Sequence, residues 1–337
     1  MDSLQPTPAD HTLAGSDAVS VWATPVERAM NRALHALAQL GAVSFQRQLI
    51  EELADLRLLA GSAWSDHVIP QVRRHEACTI ARECPITWHG CVWPRGYVCD
   101  PDFRDRLYAW SQPDGEISRR GRSLRACTHQ ATFARSIRRR CLAFAEAIDL
   151  TALAKTDAAI LAVDCGHLRE AELSFALREG SIGQFVAADS DQQSLERIER
   201  DYGLPFPVIA PTPLGRSDYL GDAKSSLGLF DLIYVPQLFD SLGESDARSM
   251  LFALLSRLAI GGRLLVGMFA DRAPEQAFIE SIMDWPVAWR APDELNRMLI
   301  DLPPGMIASV RERMADGQGL ILEVTRQTQQ PTRGSKQ

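Results

Sequence analysis

Hydrophobic and polar positions change their rhythm near residue 158. From Pro25 to Leu59 the apolar residues Val26, Met30, Leu34, Leu37 and Leu40, then Leu49, Leu53 and Leu56, recur three or four places apart. That spacing predicts two amphipathic helices, broken near Gly41. Residues 1–23 carry Pro, Ser, Thr and Asp without periodicity and read as a disordered lead. Asp66 to Trp110 is mixed, with several Pro and Trp, and the region 24–150 as a whole reads as mainly helical.

From Ala158 onward short apolar runs alternate with helical stretches. AAILAVD (Ala158–Asp164), GQFVAAD (Gly183–Asp189), FPVIAP (Phe206–Pro211), LFDLIYV (Leu229–Val235) and RLLVGMF (Arg263–Phe269) read as strands. Arg169–Gly180, Ser194–Gly203 and Glu244–Gly262 between them read as helices, and Pro292–Leu302 follows as another. Met306–Met314 and Gly319–Val324 flank ADGQ and predict a closing hairpin. Strict alternation implies a mostly parallel, doubly wound α/β sheet, Rossmann-like, with one antiparallel member supplied by the hairpin and helices on both faces. The expected division is a helical N-terminal region to 150, a nucleotide-binding domain over 151–328, and a disordered tail over 329–337.

Composition narrows the partners. The net charge of −7 disfavours a whole-protein nucleic-acid binder. No apolar run is long enough to cross a membrane. Seven cysteines, an odd number with no CxxC, and no signal-like opening favour a reducing, cytoplasmic setting. Cys78, Cys84, Cys91 and Cys99 cluster with His75 and His89, but their gaps are irregular for zinc, so they read as unpaired thiols and no metal is expected. The arginine-rich stretch from Arg119 to Arg140 reads as a solvated face, as a clamp for a carboxylate or phosphate, or as a nucleic-acid contact.

Ligands of such a sheet bind beyond the carboxyl ends of its strands, at the point where strand order reverses. Three stretches fall there. The turn DCGHLRE holds Asp164, Cys165, Gly166 and Arg169, with one glycine for close backbone approach. Asp189, followed by Ser190, ends the second strand; it suits the two hydroxyls of a ribose, or alternatively a helix cap. YVPQLFDSL brings Val235, Pro236 and Gln237 to the cofactor side, and further on Asp240 as a substrate candidate.

These stretches resemble the class I S-adenosylmethionine-dependent methyltransferases, over about Trp93 to Val324. More narrowly they are similar to the extracellular-factor 3-hydroxypalmitic acid methyl ester biosynthesis family. PRGY with Asp100 resembles that family's PRGYAGD, SIRRR its VRNRR, and CGHLRE its CGPARE. FDLIYVPQLFDSL resembles FDLVYSAGLFDYL, GGRLLVGMF resembles GGRLLVGNF, and DWPVAWRAPDEL resembles DWxLIYRxxxEL. The chain departs at Asp164, where a loop glycine is usual, at Gln237 for glycine, at Met268 for asparagine, and at Val98-Cys99 for Ala-Gly.

The resemblance implies S-adenosylmethionine as cofactor and methyl transfer to the carboxylate of a small or fatty-acyl acid. A carboxylate is ionised at neutral pH, so positioning suffices and no catalytic base is expected. Tyr97 is then a candidate to cover the cofactor. Arg138 and Arg139 are candidates for the substrate carboxylate, though with Arg140 they equally suit surface ion pairs, and Trp285 is a candidate apolar wall. A facing carboxylate at Asp164 would either repel the carboxylate of the cofactor's methionine part or grip its amino group. The departures also admit a non-catalytic partner or regulatory subunit on this fold, with a protein partner or a homodimer. A methyltransferase of another hydroxyl or amine is a further alternative.

Overall fold

The computed structural model describes residues 14–109, 116–203, 209–220, 228–271, 273–311 and 319–327. The first thirteen residues of the predicted lead, Trp110, the start of the third predicted strand, the hairpin turn and the predicted tail lie outside them. The chain forms two compact units. One comprises the described residues of Met1–Val98, Pro113–Gln130 and Pro274–Trp285; the other those of Cys99–Gln112, Ala131–Ala273 and Pro286–Gln337.

The first unit is helical. Ala14–Leu40 and Ala42–Ala60 form an antiparallel pair hinged at Gly41, whose φ of 85° is open to glycine at little cost. The helix therefore begins inside the stretch expected to lack structure up to Ala23. Arg119–Gln130 packs here too, as does Gln276–Ser281, which comes from far along the chain. Four residues hold that late segment. Arg57 Nε and Trp64 Nε1 donate to Glu280 at 2.8 and 2.7 Å, while Arg73 and Arg82 donate to the backbone carbonyls of Ser281 and Ile282. Periodicity cannot reveal this insertion, because the residues it docks on lie about two hundred places away in the chain.

The second unit is built on a seven-stranded sheet. Its strands are β1 (Ala159–Val163), β2 (Gln184–Asp189), β3 (Ile209–Pro213), β4 (Phe230–Val235), β5 (Leu258–Phe269), β6 (Met306–Arg311) and β7 (Gly319–Arg326). The order is β3-β2-β1-β4-β5-β7-β6; β1 to β5 run parallel, and β7 pairs antiparallel with both β5 and β6. This is the Rossmann-like arrangement expected from the sequence, with its single antiparallel member.

Both faces of the sheet are buried, which is why its strands read as nearly continuous apolar runs. Leu161, Val163, Ile233, Val235, Leu264 and Val266 face a core shared with the helix Glu244–Leu255. The alternate residues Ile160, Ala162, Phe185, Leu232, Tyr234 and Leu265 face another, shared with the helices Thr132–Ala154 and Gln192–Tyr202. No helix among the described residues is long and apolar enough to cross a membrane.

Two elements differ from expectation. Gly261 and Gly262 do not end a helix. The helix stops at Leu255, and the pair lies in a bulge of β5, where the register jumps between Phe230↔Leu258 and Leu232↔Arg263. A Cβ on Gly262 would sit 2.7 Å from the Phe230 carbonyl oxygen. Nor is Arg169–Gly180 one helix. It divides into Glu170–Leu173 and Phe175–Arg178 at Ser174, whose backbone is extended. Asp149, from Thr132–Ala154, accepts hydrogen bonds there from Ser174 Oγ at 2.6 Å, Ala176 N at 2.9 Å and Phe175 N at 3.2 Å. These bonds satisfy donors that a continuous helix would use itself. Asp149→Ala should accordingly lower stability by about 1–2 kcal/mol, the usual size of a lost cap, measured by urea unfolding.

Candidate functional site

Sheet order reverses between β1 and β4, which pair through Ala162↔Tyr234. The turn after β1 is contorted: Asp164, Gly166 and Leu168 all have positive φ, at 54°, 58° and 52°. Such a path is costly for a leucine and mild for an aspartate. It is held from two sides. The Asp189 carboxylate at the end of β2 accepts from Gly166 N at 2.7 Å and from Asp191 N at 2.8 Å. From the helix Pro101–Tyr108, Arg104 Nη1 donates to the Asp164 carbonyl oxygen at 3.0 Å.

Residue 166 is glycine on two counts, its positive φ of 58° and the close approach of Arg104. A Cβ there would lie 2.4 Å from Arg104 Nη2 and 2.7 Å from its Cζ. The guanidinium therefore lies against the bare backbone, in the space a side chain would fill. Arg104 is 5% exposed and its Nε has no hydrogen-bond partner. The Asp164 carboxylate stands 3.8 Å from Nη1, within ion-pair range but outside hydrogen-bond range, and one third of its side chain reaches solvent. Burial pushes the Asp164 carboxyl up to about 6; Arg104 opposes this, and Asp189, Asp191 and Asp240 add to it.

Across the reversal, Val235 and Pro236 are buried and Gln237 is 6% exposed. Cys99 Sγ donates to Gln237 Oε1 at 2.8 Å, which leaves Gln237 Nε2 as a buried donor without a partner. The turn after β1, the end of β2 and the Pro236-Gln237 step thus lie at the carboxyl ends of three adjacent strands, as the sequence predicts. Ser190 follows Asp189 and is exposed. The helix cap weighed for Asp189 belongs instead to Asp191, whose side chain accepts from Gln193 N at 3.0 Å.

Other candidates are engaged elsewhere. Arg169 grips Asp105 with two bonds, Nε at 2.8 Å and Nη2 at 2.7 Å, and its Nη1 reaches Glu172 and Tyr202. His167 Nδ1 lies 3.0 Å from the same Asp105. Burial opposes the charge on Asp105, yet the contacts with Arg169 and His167 hold it down at about 2. This network fastens the turn to two helices. The neighbouring Glu170 is 2% exposed, and burial pushes its carboxyl up to about 7 against the pull of a backbone N–H, Arg104, Cys141 and Arg169.

The arginine run divides three ways. Arg138 is half-buried and donates to the Leu107 carbonyl at 3.0 Å, and Arg139 is exposed. Arg140 is not a surface residue: at 1% exposure it donates to Asp240 Oδ2 at 2.6 Å and stacks 4.2 Å over the Phe269 ring. Asp240, a substrate candidate from sequence, is 2% exposed and also accepts from Phe269 N at 2.9 Å. Burial pushes its carboxyl up, with Arg140 opposing. Arg290 donates to the carbonyls of Phe239 and Leu242, so the whole segment after β4 rests on buried arginines. Met268 fills the apolar core. Tyr97, exposed, and Trp285, buried, belong to the first unit. The seven cysteines are free, and among the described residues no group of three His, Cys, Asp or Glu side chains is arranged to hold a metal ion.

No protein-family model and no curated protein matches the chain. Solved structures do. A possible exported protein from Bordetella parapertussis is 14% identical, with a TM-score of 0.54 over 94% of this chain and all of its own. The likeness is one of fold. Magnesium protoporphyrin IX methyltransferase (ChlM) from Synechocystis PCC 6803 with bound SAH is 12% identical, covering 66% of this chain and 91% of its own at a TM-score of 0.43. The N-methyltransferase NodS from Bradyrhizobium japonicum WM9 with S-adenosyl-L-homocysteine is 15% identical, covering 67% and 97% at 0.41. Likeness that loose carries no argument for this chain.

Two predictions follow from the charges. Arg140→Met leaves Asp240 buried without its counter-ion and should cost about 3–5 kcal/mol in denaturant unfolding; adding Asp240→Leu should recover part of that loss. Asp164 titrates higher in the folded chain than the ordinary carboxyl value of 3.8. Its stabilising contribution is therefore full below about pH 4 and is lost as pH rises through about 6. Asp164→Asn should melt higher than the parent at pH 8, with the gap closing by pH 4 in a thermal-melt series.

Proposed function

We propose that the chain is an S-adenosylmethionine-dependent methyltransferase, acting on the carboxylate of a small or fatty-acyl acid. One observation carries the cofactor reading. At the reversal of strand order, the residues beyond β1, β2 and β4 converge, and two buried donors there, Arg104 Nε and Gln237 Nε2, have no partner within the protein. Unspent buried donors are costly unless a ligand uses them. An adenosyl amino acid fits this donor set. Asp189 offers carboxylate oxygens to ribose, and Pro236 supplies an apolar neighbour beside Gln237.

When bound, the cofactor supplies a methyl group already activated on a sulfonium. The protein's part is to orient and to exclude water. A carboxylate acceptor arrives ionised, so no side chain needs to remove a proton. The half-buried Arg138 and exposed Arg139 remain the proposed partners for the acceptor's charge. The acceptor class rests on the resemblance of SIRRR, CGHLRE and FDLIYVPQLFDSL to the methyl ester family.

Calorimetric titration of cofactor-free protein with S-adenosylmethionine and S-adenosylhomocysteine should give micromolar binding, abolished in Asp189→Ala that still melts cooperatively. Incubation with a panel of fatty and small acids should then yield methyl esters by mass spectrometry. No heat with either ligand, from folded protein, overturns the enzyme reading in favour of a non-catalytic partner on this fold.

A further inference from the structure

Five arginines among the described residues are at least nine-tenths buried: Arg104, Arg140, Arg169, Arg257 and Arg290. Four of them donate to named acceptors in the protein. Arg257 does not. At 4% exposure its Nε, Nη1 and Nη2 are all without a hydrogen-bond partner, and no carboxylate among the described residues pairs with it. Its backbone lies away from the crevice. Arg257 precedes β5, and its carbonyl accepts from Phe230 N at the start of β4 at 2.9 Å. That is the amino end of the parallel strands. Ser256 before it and Leu229 before Phe230 are exposed, so the chain here runs along the surface while the guanidinium turns inward.

An arginine cannot relieve its burial by losing its proton. A buried charge without a counter-ion is strongly destabilising, and three unused nitrogens add to the cost. Water would serve the nitrogens but not the charge. Tyr219, from the helix Arg216–Leu220 packed beside Glu244–Leu255, is 3% exposed, and its hydroxyl also has no partner. It stands within electrostatic reach of Arg257, yet it is no counter-ion. Burial above all, then Cys165, Asp164 and Asp189, push its titration up, and Arg257 opposes them only in part. The phenol stays protonated and is a second unused donor. Unused donors around an unneutralised cation match an oxyanion. We infer that Arg257 and Tyr219 form a second binding site, for a phosphate group, with the guanidinium fork on two oxygens and the phenol on a third. A carboxylate has only two oxygens, which the fork alone consumes, so phosphate uses the donor set more fully. The site does not depend on the cofactor reading.

Inorganic phosphate is the probe and the full chain the sample. At constant ionic strength, replacing chloride with about 10 mM phosphate should raise the melting temperature by about 2–4 °C, and acetate should do less. Arg257→Met removes the charge and keeps an apolar stem. It should melt no lower than the parent in chloride, and phosphate should no longer protect it. Tyr219→Phe keeps the guanidinium and should weaken phosphate binding about three-fold or more. The inference falls if phosphate protects no better than chloride, or if Arg257→Met still responds to it. It also falls if Arg257→Met melts more than about 2 °C below the parent in chloride, since the chain itself would then pair the guanidinium. Acetate protecting as well as phosphate overturns the phosphate assignment in favour of a carboxylate. Unchanged phosphate affinity in Tyr219→Phe overturns the two-donor site.

Discussion

The hydrogen bond from Gly166 N to Asp189 carries the site. It joins the turn after β1 to the end of β2, and does so through a carboxylate 3% exposed to solvent. The turn could not keep three positive φ angles without such fastening, because an unsupported chain relaxes strained dihedrals. Arg104 applies the second restraint from the opposite side, and Arg169 with Asp105 the third. With its path fixed, the turn presents Asp164 and the Gly166 backbone in one orientation. Pre-arranged charges lose little on binding, and that is the condition for a positioning mechanism.

Much of the sheet was legible because its strands are buried on both faces and its helices are amphipathic, two periods that do not mimic each other. The turn after β1, Asp189 and the Pro236-Gln237 step were legible for a related reason: topology puts them at strand ends. What escaped were side-chain destinations. Nothing in SIRRR says which arginine is inside. Helical geometry turns Arg138, Arg139 and Arg140 about a hundred degrees apart, so one of the three points to the sheet, and only the position of Asp240 selects Arg140. Arg104 was hidden in the same way. Its signal lay in the need for a glycine at 166, which reads as room for a ligand until the guanidinium is seen there.

The same geometry separates residues that hold the site from residues that face it. Arg169, Asp105, Arg140, Asp240 and Arg290 are buried ions with assigned partners, and buried pairs of this kind fix conformation more than they add stability. Their removal should be read first as damage to the scaffold. Arg104 and Gln237 each keep a buried nitrogen without a partner, as Arg140 and Arg290 do at Nε, but they differ in place, lying against the turn after β1 and at the step after β4. In Gln237 even the direction of that capacity is set. Cys99 donates to its oxygen, so the amide nitrogen must be the end that is left.

This distinction gives the departures from the family pattern a physical sense. Met268 takes a core position and contributes packing. Gln237 and Cys99, which stand where the resembled pattern has glycines, bond each other as an amide and a thiol, so neither leaves its polar group wholly unspent. Asp164 would be the costly one, a carboxylate at a turn already facing Asp189, Asp191 and Asp240. Arg104 lowers that cost without removing it, since the two groups remain 3.8 Å apart. An added positive charge at that spot would relieve the remainder. The turn thus keeps an excess of negative charge beside a buried guanidinium, and the fastening by Asp189, Arg104 and Arg169 is what holds it in that state.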